Sequence, residues 1–168
     1  MIDLSKVKVA VFDFDDTLCV HRHHSFHKSI SNYNELAAQG IYPWDQLDSY
    51  GNTFCVKSLA MQVFINMLRS NSVRMYVCSA TSLLNKGELK VRWATKEYDY
   101  NFGNLNVEES VEKVPAILDL TKILKCDPGE VLIVDDYYYV TDAAADAGCQ
   151  SASTIEVIEY IVDHSRIR

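Results

Sequence analysis

The sequence lacks several patterns that mark common functional classes. It contains no glycine-rich phosphate loop of the form Gly-x-x-x-x-Gly-Lys or Gly-x-Gly-x-x-Gly, which disfavours ATP or dinucleotide binding by those routes. No apolar run approaches the length of a membrane-spanning helix, and the first residues lack the apolar core of a signal peptide. We therefore expect a cytoplasmic protein that does not bind membranes.

Basic runs and paired cysteines are also missing. The net charge is −7, and no long basic segment is available for a phosphate backbone, so nucleic-acid binding is not indicated. The five cysteines are scattered and odd in number, which favours a reducing compartment over a disulfide framework. They are Cys19, Cys55, Cys78, Cys126 and Cys149.

What is present predicts an α/β protein. The 168 residues, 48% of them hydrophobic, suit a single domain that spans 1–168 and buries a substantial core. Predicted strands at 7–13, 73–79, 131–135 and 149–153 alternate with predicted helices at 56–70, 115–124, 141–147 and from 153 or 154 to 162. Strands that alternate with helices imply right-handed crossovers and a doubly wound parallel sheet with helices on both faces.

Two stretches break this alternation. Residues 18–55 show little periodicity, and we interpret them as a small flap or cap insertion with one short helix near 28–38. The region near 80–107 also contains irregular sequence. Substrate specificity is expected to lie in these two stretches.

The most informative segment is an apolar run that ends abruptly in carboxylates, Val-Ala-Val-Phe-Asp13-Phe-Asp15-Asp16-Thr17. Residues two apart in a strand point to the same face, so Asp13 and Asp15 are expected side by side at the carboxyl end of the strand. Two such carboxylates repel each other unless a cation or a shared proton lies between them. An oxygen-only site of this kind suits Mg²⁺, completed by phosphate oxygens of a substrate.

Together with later motifs, this segment resembles the haloacid dehalogenase (HAD) superfamily of phosphohydrolases. Asp-x-Asp-x-Thr is that superfamily's first motif. Its second motif is a strand that ends in a hydroxyl, matched by Ser79 with Thr81 in reserve, although a strand-end hydroxyl can also cap a helix. Its third is a lysine ahead of a helix, matched by Lys113, and its fourth is matched by Asp135-Asp136.

The fourth motif departs from the superfamily's usual form. An acid four or five positions further on is absent, and the corresponding stretch is Tyr137-Tyr138-Tyr139-Val-Thr. The resemblance is therefore to the variant with two adjacent acids, found in small, nearly capless magnesium-dependent phosphatases. The three tyrosines could line the mouth of the site or could simply pack, and packing is slightly favoured.

The resemblance implies a magnesium-dependent phosphomonoester hydrolase with a Rossmann-like HAD fold and an aspartyl-phosphate intermediate. In that interpretation Asp13 is the nucleophile, and Asp15 is the general acid and base. Ser79 and Lys113 hold the phosphate oxygens. The implied partner is a small phosphorylated substrate, with a phosphoprotein left open.

The same resemblance implies the metal ligands. Mg²⁺ would be held by Asp13, by the backbone carbonyl of Asp15 and by one of the adjacent acids. Asp136 is the expected ligand, with Asp135 orienting water or Lys113, but either acid could be the direct ligand.

Other functions compete with this interpretation. The segment Cys19-Val-His21-Arg-His23-His24-Ser-Phe-His27 carries zinc-binding residue types, although its spacing matches no standard zinc pattern, and a flap that contacts an anionic substrate is the favoured alternative. A phospho-accepting signalling receiver uses similar residues in a different order. A catalytically weak phosphate-binding module is a third possibility.

Overall fold

The computed structural model describes residues 2–21, 55–81 and 84–165. A five-stranded parallel sheet lies at its centre. Its strands are β1 (Val9–Phe12), β4 (Arg74–Val77), β5 (Gly103–Asn104), β6 (Val131–Val134) and β7 (Gln150–Ala152). They are arranged in the order β5-β4-β1-β6-β7, with every pair parallel.

Five α-helices connect or follow these strands in the described part of the chain. They are α1 (Leu59–Ser70), α2 (Leu84–Tyr98), α3 (Lys113–Leu124), α4 (Tyr138–Asp146) and α5 (Thr154–Ser165). Short 3₁₀ turns at Ser110–Glu112 and Pro128–Glu130 precede α3 and β6.

Both faces of the sheet are covered, as the alternation of strands and helices predicted. The buried side chains of α1, α2 and α5 pack with Ala10 and Phe12 of β1 on one face. Those of α3 and α4 pack with Val9 and Val11 on the other. Alternate residues of β1 therefore belong to different cores, which explains why this strand is apolar throughout. The predicted doubly wound fold is confirmed.

Helix α2 is the main correction to the sequence-based prediction. No helix or strand was predicted between 80 and 107, where the sequence contains irregular stretches, yet α2 occupies Leu84–Tyr98, and Gly103–Asn104 forms the edge strand β5. Helix boundaries also differ by a few residues, most clearly where α1 and α4 begin. Ser58 caps α1 by accepting a hydrogen bond from the Met61 amide, so this helix begins after the cap rather than at residue 56. Helix α4 begins three residues earlier than predicted, at Tyr138.

A second, two-stranded antiparallel sheet follows the first motif. It pairs β2 (Cys19–His21) with β3 (Cys55–Lys57). These strands are the described ends of the predicted flap at 18–55, and the short helix predicted near 28–38 lies outside the described residues. Among the helices of the described residues, none is long and apolar enough to span a bilayer.

Candidate active site

The carboxyl ends of β1, β4 and β6 meet at one edge of the sheet. The chain leaves β1 to one side for β4 and returns to the other side for β6, so β1 marks a topological switch point, where ligands bind in open α/β sheets. A cavity of about 240 Å³ lies at this edge. Its lining residues are Asp13, Asp15, Asp16, Ser79, Ala80, Ser110, Lys113, Asp135, Asp136 and Tyr137.

Two buried carboxylates in this cavity share one lysine. Lys113 is the first residue of α3, and its Nζ donates to Asp13 Oδ1 at 2.8 Å and to Asp135 Oδ2 at 2.7 Å. All three side chains are buried. The other oxygen of Asp135 accepts from the Tyr137 amide at 3.0 Å. The main-chain amide of Asp13 donates a hydrogen bond to the Val134 carbonyl at 2.9 Å, which fixes the backbone of Asp13 relative to β6.

The buried charge of this cluster is unbalanced. Burial raises the pKa of Asp13 to about 7; Lys113 opposes this shift and the nearby Asp135 carboxylate adds to it. The pKa of Lys113 is raised because two carboxylates outweigh the effect of its burial. One lysine therefore leaves excess negative charge at the site, which a proton or a bound cation can neutralise.

A third carboxylate gives the cluster the composition of a metal site. Oxygens of Asp13, Asp135 and Asp136 lie within 4.8 Å of one another. Burial raises the pKa of Asp136, and the adjacent Asp135 carboxylate raises it further. Three carboxylates with oxygen ligands alone fit Mg²⁺ better than a softer metal. The Asp15 side chain does not belong to this cluster, so it is the backbone carbonyl of Asp15 that remains the predicted ligand.

The first motif continues into a tight turn after β1. The Cys19 amide donates to the Phe14 carbonyl at 2.8 Å, and the Asp16 amide donates to the Cys19 carbonyl at 2.8 Å. Asp16 has a φ of 55°, a conformation that aspartate tolerates better than most residues. The turn leaves the Asp15 carboxylate partly exposed, with 31% of its side chain accessible, at the wall of the cavity.

Ser79 lies two residues after β4 and also lines the cavity. Its amide donates to Asn106 Oδ1 at 2.6 Å, and Asn106 Nδ2 in turn donates to the Gly87 carbonyl of α2 at 2.9 Å. The neighbouring Cys78 is not a candidate nucleophile, because burial raises the pKa of its thiol to about 12. The reserve candidate Thr81 is not among the described residues that line the cavity.

Sequence reasoning missed Lys90, which lies on α2. Its Nζ donates to Asp15 Oδ2 at 2.7 Å and to Ser79 Oγ at 2.7 Å. Its side chain is 2% exposed. Only a correct prediction of α2, with Lys90 on its buried face, could have found it. Two lysines further along the chain from Lys113 lie away from the site: Lys122 pairs with Asp119 on the exposed side of α3, and Lys125 is exposed at the end of that helix.

The three tyrosines after Asp136 and the His-rich segment are the remaining candidates from the sequence. Tyr137 lines the cavity and is 55% exposed, and Tyr138, which is 75% exposed, stacks on Tyr137 with ring centroids 6.4 Å apart. The favoured packing is therefore seen as contact between the tyrosine rings, and Tyr137 also lies at the site, which is the alternative that the sequence left open. Tyr139 does pack against the core that contains α3 and α4. In the His-rich segment, the Cys19 side chain is buried in the hydrophobic core, and His23, His24 and His27 lie outside the described residues.

Comparison with solved structures identifies the fold. No family model matches the chain, and no curated protein matches it either. A HAD-superfamily hydrolase of subfamily IA from Geobacter sulfurreducens is 12% identical, with 88% of this chain and 87% of that chain covered and a TM-score of 0.59. A HAD family enzyme from Bacteroides thetaiotaomicron is 16% identical, with coverage of 88% and 93% and a TM-score of 0.55.

A third similar structure is the cobalt-bound form of deoxy-D-mannose-octulosonate 8-phosphate phosphatase from Haemophilus influenzae. It is 18% identical, with 89% of this chain and 70% of that chain covered and a TM-score of 0.52. At these identities the likeness concerns the backbone arrangement. The doubly wound parallel sheet is therefore the fold of the HAD-superfamily hydrolases.

Proposed function

We propose that the chain is a magnesium-dependent phosphomonoester hydrolase that acts through an aspartyl-phosphate on Asp13. The observation that carries this proposal is the cluster in which buried Asp13 and Asp135 share Lys113 beside a third carboxylate, Asp136. Such a cluster is costly to bury unless it binds something. It lies at the switch point of a fold shared with HAD-superfamily hydrolases.

The proposed reaction has two steps. In the first, a carboxylate oxygen of Asp13 bonds to phosphorus while the bond from phosphorus to the leaving oxygen breaks, and Asp15 gives that oxygen a proton. In the second, Asp15 takes a proton from a water molecule whose oxygen bonds to phosphorus. The bond between phosphorus and Asp13 then breaks, which releases inorganic phosphate and restores Asp13.

Ser79 and Lys113 are assigned to the phosphate oxygens. Lys113 begins α3 and reaches back to the sheet edge, so its ammonium offsets the charge of both the carboxylates and the phosphoryl group. The Ser79 hydroxyl is a donor at the cavity wall. We also propose that 1–168 is a single domain in which 18–55 is a small flap or cap insertion, most of which lies outside the described residues.

Mg²⁺ fits the ligand types present. Asp13, Asp136 and the backbone carbonyl of Asp15 would hold the ion, with Asp135 as the alternative carboxylate. When bound, the ion would supply positive charge that polarises the phosphoryl group. In support, the Bacteroides enzyme has also been solved as a magnesium complex, and the Haemophilus phosphatase as a cobalt-bound form. The name of the latter suggests a small phosphorylated molecule as the substrate class here.

A phosphate-release screen tests the proposal. The enzyme is incubated with a generic aryl phosphate and a panel of sugar phosphates, nucleotides and phosphotyrosine, with Mg²⁺ or with a chelator. We expect hydrolysis of at least the aryl phosphate, loss of activity with the chelator and recovery when Mg²⁺ is restored. Turnover that the chelator does not change would contradict the metal dependence. Accumulation of stable phosphoprotein without turnover would instead support a signalling receiver.

A further inference from the structure

Lys90 does not line the cavity itself but contacts two residues that do, Asp15 and Ser79. Its ammonium donates to Asp15 Oδ2 and to Ser79 Oγ, each at 2.7 Å, and lies 5.4 Å from the centre of the Phe14 ring. Asp15 follows β1 and Ser79 follows β4, so one buried cation bridges the ends of two neighbouring strands.

Stability alone does not explain a lysine at this position. Lys90 shares the buried face of α2 with Trp93, Ala94 and Tyr98, where an apolar side chain would continue the core. Burying an ammonium is expensive, and a buried ion pair is often no more stabilising than apolar residues of similar volume. The charge therefore points to a role at the groups that it contacts.

The contact with Ser79 fixes the direction of its hydroxyl. A lysine ammonium has donors and no acceptor, so Ser79 Oγ must accept from Lys90. The hydroxyl proton is then directed elsewhere. Asp15 Oδ2 lies 3.5 Å from Ser79 Oγ, at the outer limit of a hydrogen bond. A phosphate oxygen in the cavity that Ser79 lines would be a closer and stronger acceptor.

We propose that Lys90 is a positioning residue for phosphate binding, a role that rests on the proposed function. It turns the Ser79 hydroxyl toward the phosphate and holds the Asp15 carboxylate in place. Lys90 is not among the described residues that line the cavity, so it acts through these two side chains rather than on the substrate.

A double-mutant cycle tests this role. Lys90→Met keeps an unbranched apolar stem and removes the charge. The variant is expected to fold, because the partly exposed Asp15 carboxylate can be hydrated when its partner is lost. Inorganic phosphate is titrated by calorimetry in the presence of Mg²⁺ into wild type, Lys90→Met, Ser79→Ala and the double variant. Lys96→Met, at an exposed position on the same helix, is the matched control. Thermal melting verifies that each protein is folded.

We expect Lys90→Met to weaken phosphate binding about tenfold to a hundredfold, the usual effect of a hydrogen bond to a charged group. In the Ser79→Ala background the same change should weaken binding less than about threefold, since residues that share an interaction are not additive. Lys96→Met should leave binding unchanged.

Two results would overturn the role of Lys90 while the wild type binds phosphate. One is a folded Lys90→Met protein with wild-type affinity, and the other is an equal loss in both backgrounds. A wild-type protein that neither binds nor releases phosphate would instead refute the proposed function itself. The two failures are therefore distinguishable.

Discussion

At the scale of single residues, the chemistry depends on how Asp13 is ionised. The carboxyl is buried, and its pKa is about 7 in the folded protein, compared with about 3.9 in an unfolded chain. Between these values the folded state binds more protons than the unfolded state, so the free energy of unfolding falls as the pH rises from about 4 to about 7. The Asp13 carboxylate therefore costs stability at neutral pH unless a cation is bound.

The fall in the free energy of unfolding with rising pH gives a prediction for Asp13→Asn, measured in the presence of a chelator. The amide cannot ionise, so the stability of the variant relative to wild type should increase by a few kcal/mol between pH 5 and pH 8, at about 1.4 kcal/mol per pKa unit. Denaturant unfolding at both pH values measures the difference. Asp119→Asn, at an exposed position, is the control and should show no such change. An equal difference at pH 5 and pH 8 would mean that Asp13 is already ionised at pH 5.

Lys113 gives a second prediction at this scale. Lys113→Ala should lower kcat about a hundredfold to a thousandfold, because it removes an electrostatic donor at the reacting group. Lys122→Ala, at an exposed position of the same helix, and Lys125→Ala, at the exposed residue that follows it, are the controls, and both should stay within a few-fold of wild type. Steady-state kinetics measures kcat for each variant, and melting curves verify that each one is folded. Equal activity of the three variants would refute the assignment of Lys113.

At the scale of elements, the sequence predicted four of the five strands of the central sheet and four of the five described helices. The cores of β1 and β6 were identified because buried parallel strands are continuously apolar, which leaves a clear pattern. Helix α2 was missed because its buried face contains Gly87 and Lys90 among apolar residues, so its stripe does not look hydrophobic. The buried charge of Lys90 thus concealed both the helix and the contacts of this lysine with Asp15 and Ser79.

Asn106 joins three elements, and its loss tests how Ser79 is placed. Its side chain accepts from the Ser79 amide and donates to the Gly87 carbonyl of α2 and to Asn104 Oδ1 of β5. Asn106→Ala should lower the free energy of unfolding by about 1–3 kcal/mol, because buried polar groups lose their partners. It should also raise the KM for an aryl phosphate. Asn101→Ala, at an exposed position, is the control. A variant with unchanged KM would show that Ser79 keeps its position without Asn106.

At the scale of the whole molecule, topology explains why the motifs lie together at one cavity. Residues 13, 79, 113 and 135 are far apart in the chain, and the strand order brings them to the two sides of β1. The motif order was sufficient to predict this assembly, because parallel strands place their carboxyl ends at the same edge. The contact of Lys90 could not be predicted, since it depends on the packing of one helix face against the loops.

The cavity at the sheet edge carries more negative than positive charge, so we predict that Mg²⁺ stabilises the folded protein. A ligand that binds only the folded state at a hundred times its Kd adds about 2.7 kcal/mol of stability. Thermal melting with Mg²⁺ or with a chelator should therefore show a higher Tm with Mg²⁺. The increase should be lost in Asp136→Asn and kept in Asp163→Asn, an exposed control on α5. A Tm that does not respond to Mg²⁺ would argue against a metal site at this cluster.

The proposed reaction requires that Asp13 becomes phosphorylated during turnover, and acid quenching can capture that intermediate. The enzyme is mixed with an aryl phosphate and Mg²⁺, quenched in acid within the first turnover, digested and analysed by mass spectrometry. We predict the added mass of one phosphoryl group on the peptide that carries Asp13, absent in Asp13→Asn and in the presence of a chelator. Phosphate release with the phosphoryl group on another residue, or with no phosphorylated peptide at any quench time, would contradict an aspartyl-phosphate intermediate on Asp13.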